Sequence, residues 1–206
     1  MGLAQPAVLS PPGGRRDAKR DAILKGAKAV FLKRGYGGTS MDAVALRAGV
    51  SKMTVYRHFG SKEALFAGVI GDLCDRIVDG EFQKIFELPP REALRTFARK
   101  MMDIVFAPET VELHRIVIAE SRAFTKLGRL FYRSGPEACI SALAGYLNCH
   151  VNDARFKISS SRRTAEEFLE LLRGYAHLRV LLGLGKPPSG AELEERIEGA
   201  IRHVLN

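Results

Sequence analysis

The chain has 206 residues, 46% of them hydrophobic and 27% charged, which suffices for one domain or two small ones with a buried core. No stretch approaches the roughly 20 apolar residues of a membrane span, and the start, MGLAQPAVLSPPGG, lacks the charged and apolar parts of a secretion signal. The three cysteines, Cys74, Cys139 and Cys149, form no Cys-x-x-Cys pair, which favours reduced thiols over disulfides or metal ligands. We therefore expect a cytoplasmic protein with no membrane partner, no cofactor and no metal.

Positive charge is concentrated in the first third of the chain. Residues 1–70 carry 12 Lys and Arg against 4 Asp and Glu, whereas residues 71–206 carry 20 against 19. Such an excess is expected where a chain meets a polyanion, above all a nucleic acid. A solvated basic face without such a partner and an anionic membrane surface are the alternatives. We predict that residues 1–16 form a flexible basic leader.

Two helices are predicted at the start of the ordered chain. The first spans residues 17–35, with apolar residues on one face. The second begins at Thr39 and Ser40, whose side-chain oxygens can cap a helix, and ends at Gly49, since a left-handed turn costs glycine least. Its small inward residues would let another helix cross closely, as in a helix-turn-helix. The predicted inward residues are Met41, Val44, Ala45 and Ala48.

A third helix follows, capped by Ser51 and ending near Gly60, with Val55 and Phe59 turned inward. Lysine and arginine can donate to guanine edges or phosphates, and a tyrosine hydroxyl can bind a phosphate. Two short helices crossing at a glycine, the second one basic, favour a DNA-binding helix-turn-helix. A helical corner without DNA-binding function is the alternative. The predicted outward residues are Lys52, Met53, Thr54, Tyr56 and Arg57.

The rest of the chain is predicted to be helical. Ser61 begins a long helix, SKEALFAGVIGDLCDRIVDGEFQKIF, that leads out of the predicted DNA-binding unit, and residues 149–163 form a polar loop. Thr164 and Ser189 open the last two helices in capping boxes. No segment shows sustained strand alternation, so we predict an all-α fold of about nine helices. The later helices are predicted over 91–106, 109–121, 124–148 with a kink at Pro136, 165–183 and 190–205.

Catalytic chemistry is not indicated. The chain has no Gly-rich phosphate loop and no G-x-S-x-G or H-E-x-x-H motif. His114 and Glu120 are six residues apart and fall on different helical faces. Arg173 and His177 share a face, where a structural pair or a dimer contact is favoured over catalysis. We predict that the protein is not an enzyme.

The C-terminal part is rich in apolar and aromatic residues at helical spacing. Such a set suits a largely apolar small-molecule effector between helices, although each residue alone could be ordinary core. Polar groups for the effector could come from His114, Arg115, Glu120 or Arg122. The candidate ligand-binding residues are Phe97, Met101, Val105, His114, Val117, Phe124, Phe131, Leu172 and Tyr175.

The last two predicted helices carry apolar stripes that could pair across a two-fold axis as a four-helix interface. The alternative is that each stripe packs within its own subunit. The candidate dimer-interface residues are Leu171, Leu178, Leu182, Leu193, Ile197, Ile201 and Val204.

The stretch GYGGTSMDAVALRAGVSKMTVYRHFGSKEALF resembles the DNA-binding signature of TetR/AcrR-type transcriptional regulators, and this resemblance covers residues 17 to about 66. The segments IVIAESRAF, LFYRSGPEACISALAGYL and FLELLRGYAHLRVLLGLGKPPSGAELEERI are similar to the subgroup with an AefR-like ligand-binding domain. Two departures stand out: Met53 occupies a position that is often small in the family, and HVNDARFKISSSRR differs from the shorter, glycine-containing connection expected there.

The resemblance implies a helix-turn-helix domain over 17–62 and a helical effector-binding and dimerisation domain over 63–206. It further implies a homodimeric repressor that binds a palindromic double-stranded DNA operator and is released by a small, largely apolar effector. A helical small-molecule sensor or carrier that acts through protein contacts, without specific DNA binding, is the alternative. Candidate DNA-binding residues are Lys52, Met53, Thr54, Arg57 and His58 toward bases, and Thr39, Ser40, Tyr56 and Lys62 toward phosphates.

Overall fold

The computed structural model describes residues 18–78 and 84–206, and for residues 73–78 it describes the backbone alone. The predicted leader, 1–16, and residues 79–83 of the predicted long helix lie outside these residues. In the described residues, the β-type pairing is an isolated bridge between Phe156 and Leu205. The predicted all-α fold is therefore confirmed. The helices are α1 (Ala18–Arg34), α2 (Met41–Ala48), α3 (Lys52–Phe59), α4 (Lys62–Val78), α5 (Pro90–Val105), α6 (Pro108–Glu120), α7 (Thr125–Ser134), α8 (Pro136–Asn148), α9 (Ser161–Leu181) and α10 (Gly190–Val204).

Two predicted helices differ from the structure in their bounds. The segment 124–148 is two helices, because α7 ends before Gly135 and Pro136 starts α8 in the first-turn position that proline tolerates. Helix α9 begins at Ser161 after an N-cap at Ser160, so Thr164 is buried inside the helix instead of capping it. The predicted loop is correspondingly shorter. It is tied to the C-terminus, since the Lys157 N–H donates to the Val204 carbonyl at 2.7 Å.

A first hydrophobic core holds α1 to α4 together. The rings of Phe31, Tyr36 and Phe66 meet at its centre, with centroids 5.0 to 5.9 Å apart. The core also takes Leu113 and Val117 from α6, together with Leu127 from α7. Packing of this N-terminal unit therefore depends on helices that follow much later in the chain.

A second core is formed by α5, α8, α9 and α10, and α6 contributes Val111 to it. Helix α6 thus inserts side chains into both cores. Val111 and Leu113 are two residues apart, on nearly opposite sides of the helix, and reach the second and the first core respectively. Burial of this apolar surface is the main stabilising contribution in either core. The two halves of the molecule share a structural helix, which places α6 between them.

Candidate nucleic-acid interface and effector cavity

Helices α2 and α3 form a helix-turn-helix whose ends are fixed by the predicted caps. The Ser40 hydroxyl accepts a hydrogen bond from the Ala43 N–H at 3.2 Å, and the Ser51 hydroxyl accepts one from the Thr54 N–H at 3.1 Å. Gly49 adopts a left-handed conformation, with φ 67° and ψ 32°, which lets the chain turn between the helices. These local contacts set the angle at which α3 is presented.

The outer face of α3 carries the predicted DNA-contacting groups. Val55 is fully buried, whereas Lys52, Met53, Tyr56 and Arg57 are exposed on the opposite side. The Lys52 ammonium lies 2.8 Å from the Asp42 carboxylate, and this hydrogen bond and charge raise the pKa of Lys52. The surface can therefore offer cationic, hydroxyl and apolar contacts to a DNA groove.

Three predicted DNA contacts have other surroundings in the structure. Thr39 is only 3% exposed, and its hydroxyl donates to the Gly35 carbonyl at 2.7 Å. The Lys62 ammonium donates to the carbonyls of Tyr36 at 2.9 Å and Thr39 at 3.0 Å, and it lies 4.6 Å from the centroid of the Tyr36 ring. His58 is half-buried beside Phe59. Thr39 and Lys62 hold the loop between α1 and α2 together, and their predicted binding to phosphates stays a prediction.

An internal cavity of about 560 Å³ lies between α4 and the helices from α5 to α9. Its wall is largely apolar, and four of the predicted ligand-binding residues contribute to it. The volume falls within the range of small-molecule sites, roughly 300–1,000 Å³. The four predicted residues that line it are Met101, Val105, His114 and Phe131.

The other five predicted ligand-binding residues lie elsewhere. Phe97, Val117 and Leu172 are buried in the two cores without lining the cavity. Phe124 packs against Tyr36, with ring centroids 5.0 Å apart, and Tyr175 is 79% exposed on the outside of α9. Apolar spacing identified these helices correctly, but it did not distinguish core, cavity and surface, because all three use the same residue types.

Polar groups in the cavity come mainly from residues that the sequence did not single out. Thr110, Tyr132, Glu166, Glu170 and Arg173 line it in addition to His114. Burial, followed by the charges of His177 and Arg173, lowers the pKa of His114 to about 4, so its ring is neutral near pH 7.

Two of the predicted polar groups serve other purposes. Arg115 donates from Nε to the Leu181 carbonyl and from Nη2 to the Val180 carbonyl, both at 2.8 Å, and so caps the end of α9. Arg122 is exposed to solvent. The helical spacing of Thr110 and His114 was the clue in the sequence, since residues i and i+4 share a face.

Residues 23–69 match the family described as bacterial regulatory proteins, tetR family, and residues 92–206 match the C-terminal domain of AefR-like transcriptional repressors. The second match alone covers more than half of the chain. The chain belongs to the TetR family. It is thus a member of a family of helix-turn-helix transcriptional regulators, and the two matches correspond to the helix-turn-helix part and the cavity part of the structure.

Solved structures of TetR-family proteins have the same architecture over almost the whole chain. A regulator from Mesorhizobium loti is 27% identical, with a TM-score of 0.75, and the match covers 92% of this chain and 96% of that one. The flavonoid-responsive regulator FrrA is 38% identical, with a TM-score of 0.69, and the coverage is 89% and 93%.

Curated relatives match over shorter stretches. The transcriptional activator FasR of Mycolicibacterium smegmatis is 40% identical over 97 residues, which are 46% of this chain and 40% of FasR. The transcriptional regulator RutR of Escherichia coli K12 is 32% identical over 130 residues, 62% of this chain and 50% of RutR. The match thus spans half or less of these relatives' length.

Helix α6 connects the cavity of this TetR-family chain to its helix-turn-helix. Thr110 and His114 face the cavity, and Glu120, at the end of the same helix, reaches the loop between α1 and α2. One Glu120 oxygen accepts from the Tyr36 N–H at 2.6 Å, and the other accepts from the Gly37 N–H. Glu120 was predicted as a possible cavity residue, but it binds the backbone of the DNA-binding unit.

The two apolar stripes predicted for dimerisation have different environments. Ile197, Ile201 and Val204 of α10 are fully buried within the subunit, so these three residues are not available to a partner, whereas Leu193 is half-buried against the same core. The stripe on α9 is exposed and includes Tyr175, which was predicted as a ligand contact. The exposed residues are Leu171, Tyr175, Leu178 and Leu182. Within the described residues, no helix is long and apolar enough to cross a membrane.

Proposed function

We propose that this TetR-family protein is a homodimeric repressor whose two α3 helices bind a palindromic DNA operator and that a small effector in the cavity releases it. The observation that carries the proposal is α6, because this one helix lines the cavity with His114 and holds the α1–α2 loop through Glu120. A DNA partner places the protein in the cytoplasm.

The exposed face of α9 supports the dimer. Tyr175, Leu178 and Leu182 follow the i, i+3, i+7 spacing of one helical face, and Leu171 precedes them on the other side of the break at Gly174. Each of the four is 46% exposed or more. A self-complementary apolar stripe suits an isologous interface about a two-fold axis. Such an interface sets the distance between the two α3 helices, which must match operator half-sites about 34–36 Å apart.

The cavity supports a largely apolar effector. FrrA, which is 38% identical over most of its length, is flavonoid-responsive by name, and we propose an aromatic molecule of comparable size here. The effector favours release only if it binds the released conformation more tightly than the DNA-bound one. A shift of α6 or α4 on binding would move the helix-turn-helix and spoil the half-site spacing. The polar groups of the cavity serve recognition in this proposal, not catalysis.

Selection of DNA by the full chain tests the proposal. Genomic fragments are incubated with the protein at about 150 mM salt, where non-specific binding is weak, and retained fragments are sequenced. We expect the native protein to retain a two-fold symmetric sequence, and Arg57→Ala to retain that sequence together with variants that differ at one base pair. Retention of no specific duplex would favour the alternative, a helical sensor or carrier that acts through protein contacts.

A further inference from the structure

Three buried polar atoms in the cavity have no hydrogen-bond partner among the described residues. They are the Thr110 hydroxyl, Nδ1 of His114 and Nε of Arg173. Buried polar groups are nearly always paired in native proteins, because an unpaired one retains its desolvation cost. Three such atoms along one cavity wall therefore indicate a ligand that supplies the missing partners.

The three groups come from two helices that line the cavity. Thr110 and His114 are one turn apart on α6, and Arg173 reaches in from α9. The His114 ring packs against the His177 ring, with centroids 5.0 Å apart, which joins the two helices beside the site. Next to Arg173, α9 is broken at Gly174, with φ 45° and ψ −155°, a conformation that only glycine adopts readily.

The charged side chains near these three groups differ in their exposure to solvent. Arg173 donates to Glu170 through Nη2, and Glu166 pairs with Arg162 at 3.1 Å. These carboxylates lie toward solvent, since the Glu170 side chain is 66% exposed and that of Glu166 44%, whereas the Arg173 side chain is 26% exposed. The enclosed part is therefore rich in donors, and its Arg173 Nε–H can donate but cannot accept.

The neutral state of His114 agrees with this arrangement. Its pKa is lowered chiefly by burial and further by the nearby Arg173, and a hydrogen bond with the Thr110 backbone opposes this shift. An anionic oxygen placed beside Arg173 would gain from its charge and could accept hydrogen bonds from its Nε–H and from the Thr110 hydroxyl.

We propose that Thr110, His114 and Arg173 form a subsite that binds one anionic oxygen, from a carboxylate or an acidic phenol, at the end of an otherwise apolar effector. This inference rests on the proposed effector role of the cavity and adds the chemical class that the cavity selects. Apolar contacts with the rest of the wall hold the body of the molecule, and the subsite fixes its orientation.

A matched series of compounds tests the selection. Calorimetric titration of the full chain at about pH 7.5 uses biphenyl-4-carboxylate, 4-phenylphenol, biphenyl-4-carboxamide and biphenyl-4-methylamine, which share a body and differ in the head group. We expect the carboxylate, which is the anion of the series at this pH, to bind at least about ten-fold more tightly than the amine. The phenol is neutral at pH 7.5 and should bind less tightly than the carboxylate. Equal affinity for the amine and the carboxylate, or no binding by any compound, would overturn the inference.

Variants locate the preference. Arg173→Met removes the donor and the charge and should bring the affinities of carboxylate and amine to within about three-fold, while Arg173→Lys retains the charge and part of the preference. Arg163→Met, on an exposed part of the same helix, serves as the control and should keep the native ratio. Thermal unfolding checks that each variant is folded. Survival of the full preference in folded Arg173→Met would contradict the subsite.

DNA selection and ligand selection give separate results. If no specific duplex is retained but the carboxylate preference depends on Arg173, the proposed regulator fails and the subsite stands. If the operator is found and the preference is absent, the subsite fails alone.

Discussion

The Glu120 carboxylate accepts a hydrogen bond from the backbone N–H of Tyr36 at 2.6 Å, across 84 positions of sequence. The Gly37 N–H donates to its second oxygen, and the Lys62 ammonium donates to the Tyr36 carbonyl at 2.9 Å. The loop between α1 and α2 is thus held by a carboxylate on one side and an ammonium on the other. Hydrogen bonds to charged groups are the stronger class, so this loop is a well-defined joint between the two halves of the chain.

Replacing Glu120 should weaken this joint. Glu120→Gln has one acceptor oxygen in place of two, which leaves one N–H facing an amide N–H₂ group. We expect the free energy of unfolding to fall by about 1–3 kcal/mol in urea titrations. Glu195→Gln, on the exposed face of α10, is the matched control and should change it by less than about 0.5 kcal/mol. Equal stability of the two variants would show that the joint contributes little.

Lys62 should contribute to stability, whereas Arg57 should contribute to the choice of DNA sequence. Lys62→Met removes the donor to the Tyr36 and Thr39 carbonyls, so we expect a loss of about 1–2 kcal/mol of stability and weaker binding to every DNA sequence. Arg57→Ala should leave stability almost unchanged and cost about 1–3 kcal/mol of discrimination at one base pair. Urea unfolding and titration of the selected duplex and its single-base variants measure both. A stability loss in Arg57→Ala, or none in Lys62→Met, would reverse these assignments.

The crossing of α1 and α2 depends on the absence of a side chain at Gly26. A Cβ there would lie 3.1 Å from both the Cβ and the backbone nitrogen of Ala48, and a backbone cannot yield as a flexible side chain can. We expect Gly26→Ala to destabilise by about 1–3 kcal/mol despite the better helix propensity of alanine. Gly145→Ala, in α8 with no atom within 4 Å of the added Cβ, should stabilise by about 0.5–1 kcal/mol. The same sign for both variants would mean that packing at Gly26 is not tight.

Charge on the exposed face of α9 should prevent dimerisation. Tyr175→Arg and Leu178→Arg each place a cation at the centre of the proposed apolar interface. We expect the dissociation constant of the dimer to rise by at least about 100-fold. Sedimentation velocity across a concentration series measures the shift. Ile118→Arg alters an equally exposed apolar residue on α6 and should leave the dimer intact. Dimers that persist in both α9 variants would place the interface elsewhere.

Acid should destabilise the protein partly through His114. Its pKa is about 4 in the folded chain against an ordinary 6.5, so the unfolded chain takes up this proton first as pH falls. The stabilisation from the neutral ring is complete above about pH 6.5 and is lost between 6.5 and 4, by up to about 3 kcal/mol. His114→Asn should therefore show a shallower fall of the unfolding free energy over that interval. His177, whose pKa is lowered by burial and by Arg173, remains in both proteins, so some acid sensitivity persists. Parallel curves for the two proteins would contradict this role.

Local spacing predicted the helix-turn-helix in detail. Ser40, Gly49 and Ser51 occupy the cap and turn positions expected of them, because caps depend on residues three or four positions apart. The inward position of Val55 followed from the same short-range geometry. Of the residues predicted to face outward on α3, Lys52, Met53, Tyr56 and Arg57 are exposed. Thr54 is half-buried, and its hydroxyl lies 2.9 Å from that of Ser51.

The tertiary surroundings of individual side chains were harder to predict from the sequence. The stripes on α9 and α10 have the same periodicity, yet one is exposed and the other is buried, since only the packing partners distinguish them. Glu120 was expected near the effector and Arg173 in a structural pair or dimer contact, because the groups that they face, the Tyr36 backbone and the cavity, come from distant parts of the chain. Charged residues on a helix otherwise suggest solvent, and no short-range pattern marks the exceptions.

A helix shared by two cores transmits effects in both directions. Coupling between two binding sites is reciprocal. If the effector lowers the affinity for the operator by some factor, the operator lowers the affinity for the effector by the same factor. Under the proposed function, the Glu120 joint makes the DNA-bound protein the less sensitive detector. Protein that is not bound to DNA would therefore bind the effector first. As this free, operator-competent protein is depleted, the operator would lose its bound protein.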